Sequence, residues 1–103
     1  MKSLQDLRRQ LADGNFVFSQ HAFRRAVERN VGEDEIREAG NQAKLIEDYP
    51  TDKYSASCLL CGWTAAGRPL HLHVSRADAA VVRIITLYEP DPEEWDVSFT
   101  RRR

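Results

Sequence analysis

FSQHAFRRAVER, residues 18–29, is the stretch around which the rest of the chain is organised. Ser19 is a favourable N-cap, and neither Gly nor Pro follows it within the stretch, so we predict a helix that begins there. At about 100° per residue, Phe23, Ala26 and Val27 fall on one side of this helix and are predicted to face a core. The opposite arc carries the polar side chains, which are His21, Arg24, Arg25, Glu28 and Arg29.

The basic arc allows two interpretations. A histidine in the first helical turn beside arginines is suited to binding a phosphate or a carboxylate. In the other interpretation the arc is a solvated face and the histidine only hydrogen-bonds the preceding loop. Arg25 and Arg29 would then hold the helix on the sheet by pairing with acidic residues, namely Glu28, Glu47 or Asp48.

Two more helices are predicted beside this one. Residues 3–13 combine a capping serine with leucines at helical spacing, and Gly14 is suited to the position after the helix end. A third helix begins at residue 33, because three acidic residues occupy the first turn, where the helix dipole favours them. Its buried stripe is predicted to be Ile36, Ala39 and Ala43. The run 16–18 fits either a brief strand or an apolar lead-in to the second helix.

The hydrophobic period changes after residue 43, and four strands are predicted from there on. They are residues 44–49, which Pro50 ends, then residues 54–65, 70–75 and 80–88. In the third of them, the leucines and Val74 point to one face, while His71, His73 and Ser75 point to the other. Runs of helices followed by runs of strands indicate an α+β fold, with N-terminal helices packed on an antiparallel sheet of about four strands.

The end of the chain is predicted to be docked in part and frayed in part. Trp95, Val97 and Phe99 can dock it on the sheet, whereas residues 101–103 are predicted to be frayed. No repeat, low-complexity stretch or linker divides the 103 residues, so one α+β domain over residues 1–103 is expected.

The composition is that of an ordinary globular protein, with 42% hydrophobic and 30% charged residues. A net charge of -1 argues against a general nucleic-acid coat, yet it leaves room for a small basic site. The apolar runs are far shorter than a membrane span, and the first residues lack the apolar core of a signal peptide. A cytoplasmic location without membrane contact is therefore expected.

Cys58 and Cys61 form a C-x-x-C pattern inside a predicted strand. Residues three apart on a strand point to opposite faces, so one metal ion could not bind both thiols. A zinc site would also need His71 or His73 as further ligands. We predict buried structural thiols, no metal site and no cofactor.

The candidate chemistry rests on histidines, arginines and a tyrosine. No Gly-rich phosphate loop, nucleophile elbow or H-E-x-x-H helix is present, which argues against a serine-triad hydrolase. His21 and His71 could act as base and acid across a phosphodiester, because imidazole titrates near neutrality. Tyr88 would stack on a base or orient the substrate. The arginines that would neutralise the phosphate are Arg24, Arg25 and Arg29. Such a site cleaves RNA without a metal, since the 2′-hydroxyl is the nucleophile.

The same residues carry a family resemblance. The pattern F-S-x-H-A-x-x-R-x-x-x-R at residues 18–29 is followed by an acidic helix start, DYP, GWT, GRPLH and ITLYEP. Together and in this order, over roughly residues 16–95, these pieces resemble the small bacterial domain-of-unknown-function family 4258. That family is similar in layout to the RelE-like and MqsR-like toxin ribonucleases, in which helices precede a curved antiparallel sheet.

The resemblance implies a toxin-like ribonuclease whose pattern falls on His21, Arg25, Arg29, His71 and Tyr88. It also implies a cognate antitoxin, often one with a zinc finger and a helix-turn-helix part. The nearly neutral charge departs from toxins of the RelE type, which are usually strongly basic.

Three hypotheses follow from the sequence. The first is a metal-independent endoribonuclease of a type II toxin–antitoxin pair, and the second is a non-catalytic binding module for a partner protein or nucleic acid. In the third, the helix arginines are internal salt-bridge partners. If His21 and His71 share one cleft, the enzyme hypothesis gains support, and if they lie on opposite faces, it fails. An exposed strand edge would allow a homodimer.

Overall fold

The computed structural model describes residues 1–103. The elements are α1 (Leu4–Ala12), β1 (Phe16–Phe18), α2 (Gln20–Glu28), α3 (Glu33–Asn41), β2 (Lys44–Tyr49), β3 (Ser57–Trp63), β4 (Pro69–Ser75) and β5 (Val82–Tyr88). The predicted α+β fold is confirmed, with three helices packed on a mostly antiparallel open sheet. The sheet has five strands rather than about four, because residues 16–18 form a strand.

The additional strand lies at an edge of the sheet. The strand order is β1-β5-β4-β3-β2, and β1 pairs with β5 in the parallel direction while the other pairs are antiparallel. Phe16 is aligned with Val82 and Phe18 with Ile84. Three residues are too few to show a strand periodicity. These residues form a strand because they pair with β5, which is distant in the sequence. None of the helices is long and apolar enough to cross a membrane.

The predicted start of α2 is confirmed, and it is tied to the sheet. The Ser19 hydroxyl oxygen accepts the backbone N–H of Ala22 at 3.0 Å and donates to the carbonyl of Ile85 in β5 at 2.7 Å. At the other end Asn30 has a φ of 54°, and the N–H of Val31 bonds the carbonyl of Ala26 at 2.9 Å. This is a Schellman-type end. Both ends of α2 are therefore fixed by local chemistry.

The predicted core face of α2 is only partly right. Ala26 is buried as expected, together with Ala22, but Phe23 is 58% exposed and Val27 is 66% exposed. The two alanines lie one turn apart and contact the core, because their small side chains let the helix lie close to β5. The helix is consequently rotated away from the direction that its larger apolar residues indicate.

The two faces of the sheet have different environments. The helices cover one face, where sixteen buried residues form the core, including Leu60, Leu72 and Leu87. We call the other one the helix-free face, and the strand register places these residues on it: Lys44, Glu47, Tyr49, Leu59, Cys61, Trp63, His71, His73, Thr86 and Tyr88. Cys58 lies on the helix side and Cys61 on the helix-free side, and both thiols are buried and unpaired, as predicted. Burial raises the pKa of Cys58 to about 11.

Residues 90–103, the closing segment, fold back over the helix-free face. Trp95 is 2% exposed there, whereas Val97 is 87% exposed and does not dock. The guanidinium of Arg102 donates to the Glu47 carboxylate at 2.8 Å and lies 4.6 Å from the Trp95 ring centroid. Arg103 donates to the Pro92 carbonyl at 2.8 Å. The prediction that residues 101–103 are frayed is therefore wrong, because an ion pair and a ring contact hold Arg102 and backbone hydrogen bonds hold Arg101 and Arg103.

Candidate functional site

His71 is enclosed in β4 by the closing segment. Its side chain is fully buried, and its Nε2 lies 2.7 Å from the carbonyl oxygen of Phe99, which can only accept a hydrogen bond. Nε2 therefore carries the proton, and in the neutral ring Nδ1 accepts from the Tyr88 hydroxyl at 3.1 Å. The Trp95 ring packs edge-on at 4.5 Å. Desolvation by this burial lowers the pKa of His71, so the ring is neutral at pH 7.

The structure does not bring the two predicted catalytic histidines together. His21 lies exposed in the first turn of α2 and lines none of the principal surface cavities. His71 is inaccessible, with both ring nitrogens bonded inside the protein. The endoribonuclease hypothesis therefore fails in the form that places this pair of histidines across one phosphodiester.

His73, unlike His71, lies beside an accessible cavity. It lines a cavity of 540 Å³ on the helix-free face, which we call the His73 cavity. The walls also include Tyr49, Asp52, Leu59, Thr86, Tyr88 and Arg102. Both histidines follow from the alternation of β4, but that pattern could not show which of them the closing segment would cover.

The partners of His73 fix its protonation. Ser57 Oγ lies 2.6 Å from Asp52 Oδ2 and 2.9 Å from His73 Nε2. Ser57 has one proton, which it donates to the carboxylate, so His73 Nε2–H is the donor to Ser57. The other nitrogen, Nδ1, has no hydrogen-bond partner within the protein. Desolvation lowers the pKa of His73 although Asp52 opposes the shift, which leaves a neutral ring with a free Nδ1 acceptor.

Two of the predicted arginines do share a cavity with Tyr88. Arg25 and Arg29 line a space of 390 Å³ with Thr86 and Tyr88, which we call the arginine cavity. Three acidic residues, Glu89, Asp91 and Glu94, line it as well. Arg24 is exposed and lies outside this cavity. Thr86 and Tyr88 also belong to the His73 cavity, so the two cavities meet along β5.

The alternative in which the helix arginines are structural salt bridges is not found. No ion pair includes Arg25 or Arg29, and two of the acidic residues suggested as partners are bound elsewhere. Glu47 pairs with Arg102, and Asp48 pairs with Arg76. The two helix arginines are therefore available to a ligand.

Arg68, in the turn between β3 and β4, positions the arginine cavity and was missed by the sequence analysis. Its guanidinium donates to the carbonyls of Arg29 at 2.7 Å and Asn30 at 3.0 Å, at the end of α2. It also pairs with Glu89 at 2.7 Å and with Glu35 at 3.2 Å. One side chain thus joins α2, α3 and the end of β5. Hydrophobic periodicity does not identify a functional residue in a turn. Only its place in the GRPLH motif could have indicated a role for Arg68.

The buried His71 and the half-buried His73 predict an acid-sensitive fold. The pKa of both His71 and His73 lies below the ordinary value of 6.5, so below this pH the unfolded chain binds protons that the folded chain does not. The contribution of these histidines to the free energy of unfolding is expected to be complete above pH 6.5. Below this pH it decreases by at most ~1.4 kcal/mol per pH unit for each histidine. Urea midpoints measured between pH 8 and pH 5 test this.

Two variants distinguish the titration of His71 from a general loss of stability in acid. His71→Gln keeps a donor for the Phe99 carbonyl but removes the titration, so its midpoint should depend less on pH than that of the unmodified chain. The exposed His21→Gln is the matched control and should keep the original slope. Equal slopes in all three proteins would contradict the prediction.

Comparison with known families gives a single result. A family model described as a domain of unknown function (DUF4258) matches residues 18–89, which is well over half of the chain. The matched range contains all the predicted site residues and Arg68, and it leaves out α1 and the closing segment. No curated protein and no solved structure matches the chain.

Proposed function

The chain belongs to the DUF4258 family, and from this premise we propose that it is a metal-independent, toxin-like endoribonuclease. One observation supports the proposal above the others: the arginine cavity and the His73 cavity share Thr86 and Tyr88. We call the two adjoining cavities together the trough: two arginines with three carboxylates beside them line one cavity, and the neutral imidazole of His73 lines the other. Cleavage of RNA needs this combination, because arginine binds the phosphate and a neutral imidazole can accept the proton that the 2′-hydroxyl must lose.

The residues take the following roles in this proposal. Arg25 and Arg29 hold the phosphate and neutralise the charge that develops on its oxygens. Nδ1 of His73 accepts the proton of the 2′-hydroxyl while that oxygen bonds to phosphorus and the bond to the 5′-oxygen breaks. The departing 5′-oxygen takes a proton from water, and a 2′,3′-cyclic phosphate remains. Tyr88, between the two groups, orients the nucleotide.

A second candidate is a binding module without catalysis, and two observations favour it. The buried state of His71 removes one of the two expected proton-transfer groups, and the acidic residues beside Arg25 and Arg29 limit the affinity for phosphate. In this case the same trough binds RNA or an acidic partner protein. In the toxin interpretation, a cognate antitoxin protein is the expected partner.

Reversing the charge of the two cavity arginines is expected to weaken RNA binding more than tenfold. The double variant Arg25→Glu, Arg29→Glu loses two phosphate contacts and adds two repulsive ones, at about 1 kcal/mol or more for each site. The measurement is the Kd for a fluorescent single-stranded RNA at fixed salt, together with cleavage of the same RNA in the presence of EDTA. Arg24→Glu makes the same change of charge outside the cavity and should alter Kd by less than threefold.

His73→Gln distinguishes the two functions. Glutamine keeps an N–H donor for Ser57 but has no basic nitrogen at the place of Nδ1, so cleavage should be lost while Kd is retained. Binding without cleavage by the unmodified chain would support the binding module. If the unmodified chain neither cleaves nor binds RNA, and its expression does not inhibit growth, the ribonuclease proposal is wrong.

A further inference from the structure

Phe99 of the closing segment presents two chemical groups to the helix-free face. Its carbonyl oxygen accepts the Nε2–H of His71 at 2.7 Å. Its ring lies 5.7 Å from the ring of Trp63, tilted by 56°. A nucleobase with an exocyclic carbonyl, such as uracil or guanine, offers the same pair of groups, which are a hydrogen-bond acceptor and a flat aromatic surface. The position of Phe99 is therefore chemically matched to an unpaired base.

We propose that residues 94–103 form a displaceable strap, which occupies a subsite for an unpaired, carbonyl-bearing nucleobase. In the open state, the base stacks on Trp63 and accepts from His71, and the rest of the strand continues into the His73 cavity. The inference rests on the proposed RNA binding, which it extends by naming a recognition subsite. The strap is closed in the structure described above.

The strap is attached in a way that permits opening. It contains neither a helix nor a strand, and its backbone is joined to itself by the bridge between Trp95 and Arg102. Asp96 Oδ1 accepts the N–H of Thr100 at 3.1 Å, which closes a small loop with Phe99 on it. The loop thus holds its shape by internal bonds and can move as a unit.

Three contacts tie this unit to the sheet, namely the buried Trp95 ring against His71, the Phe99 carbonyl on His71 and the Arg102 guanidinium on Glu47. The ion pair from Arg102 to Glu47 has an arginine side chain that is 62% exposed, so solvent competes with it. Phe99 has a φ of 59°, a conformation that is unfavourable for a residue with a Cβ and that the bonds to Asp96 within the loop maintain. Trp63 is already 46% exposed beside it, which gives a base an edge from which to enter.

Cys61 provides a reporter for the opening. It is aligned with His71 on the helix-free face and is 3% exposed. Burial raises the pKa of its thiol, and the negative charge of Asp96 in the strap adds to this shift. Cys58 lies on the opposite face, within the core under the helices. Modification of Cys61 therefore reports movement of the strap, and modification of Cys58 reports unfolding of the core. Each thiol is followed alone, in a Cys58→Ser or a Cys61→Ser background.

The test compares Arg102→Ala with Arg101→Ala, its exposed neighbour in the same segment. Removing Arg102 should speed the reaction of Cys61 with a thiol reagent at least tenfold and leave Cys58 unchanged, whereas Arg101→Ala should affect neither. The strap is refuted if Cys61 reacts at the same rate in both variants, or if Cys58 accelerates equally. This part of the test requires no RNA, so its result is independent of the ribonuclease proposal.

The nucleobase subsite is tested with single-stranded oligouridylate and with an abasic oligonucleotide of the same length. Arg102→Ala should bind oligouridylate at least threefold more tightly than the unmodified chain, although it has lost a positive charge, because the strap no longer competes. Trp63→Ala should cancel this gain, and the abasic probe should not show it. Unchanged or weaker binding of oligouridylate by Arg102→Ala, or no binding by any variant, would refute the subsite.

Discussion

Gly62→Ala is expected to destabilise the fold by about 3 kcal/mol or more, which is at the upper end of the cost of overpacking. A Cβ at position 62 would lie 1.9 Å from the carbonyl oxygen of Ala39 and 2.6 Å from its carbonyl carbon. Both atoms are backbone of α3, so a rotamer change cannot relieve the clash. The whole helix would have to move away from β3, and with it part of the core.

The measurement is the free energy of unfolding from urea titration, followed by far-ultraviolet circular dichroism. Gly32→Ala is the matched control, since nothing lies within 4 Å of a Cβ there and its φ of -90° suits any residue. The control should cost only a few tenths of a kcal/mol, in the range of surface substitutions. If the two variants are equally stable, α3 does not contact β3 as closely as described.

Arg68→Ala is expected to cost about 2 kcal/mol of stability, because its partners are left without a donor. The carbonyls of Arg29 and Asn30 at the end of α2 lose their N–H groups, and two carboxylates lose their cation. Arg68→Lys should recover less than half of the loss, since one ammonium group cannot reach all four acceptors. Urea titration gives these values.

A double-mutant cycle with Glu89→Gln checks that the loss comes from this network. A coupling free energy of about 1 kcal/mol between Arg68 and Glu89 is expected for two groups in direct contact. Arg9→Ala is the control, because its ion pair with Asp6 joins residues of the same helix on the surface. If the losses of unfolding free energy in the Arg68 and Glu89 variants are strictly additive, the salt bridge between them does not contribute to stability.

Local chemistry allowed most of the elements to be predicted from the sequence. The caps at Ser3 and Ser19 are confirmed, since each hydroxyl accepts an N–H three residues further on. The alternation of β4 correctly separated the leucines from His71 and His73. The pairing of β1 with β5 could not be predicted, because its signal lies in a partner 66 residues away along the chain, as the bond from Ser19 to Ile85 illustrates.

For the candidate site too, local patterns were informative and distant contacts could not be predicted. The helical wheel and the strand end selected Arg25, Arg29 and Tyr88, and these three residues line one cavity. The choice of His71 over His73 depended on which residue stays accessible. That choice is made by the closing segment, whose docking depends on tertiary contacts of Trp95, Phe99 and Arg102 rather than on any local pattern.

The bond from Ser19 to β5 also sets the order of events during protein synthesis. The arginines of α2 leave the ribosome early, but the strand that completes their cavity is made some 60 residues later, several seconds afterwards at ~5–20 residues per second. Until then α2 lacks the strand on which it mainly packs, whereas α3 can already pack on β3. The arginine cavity is therefore incomplete in the nascent chain until β5 has been made.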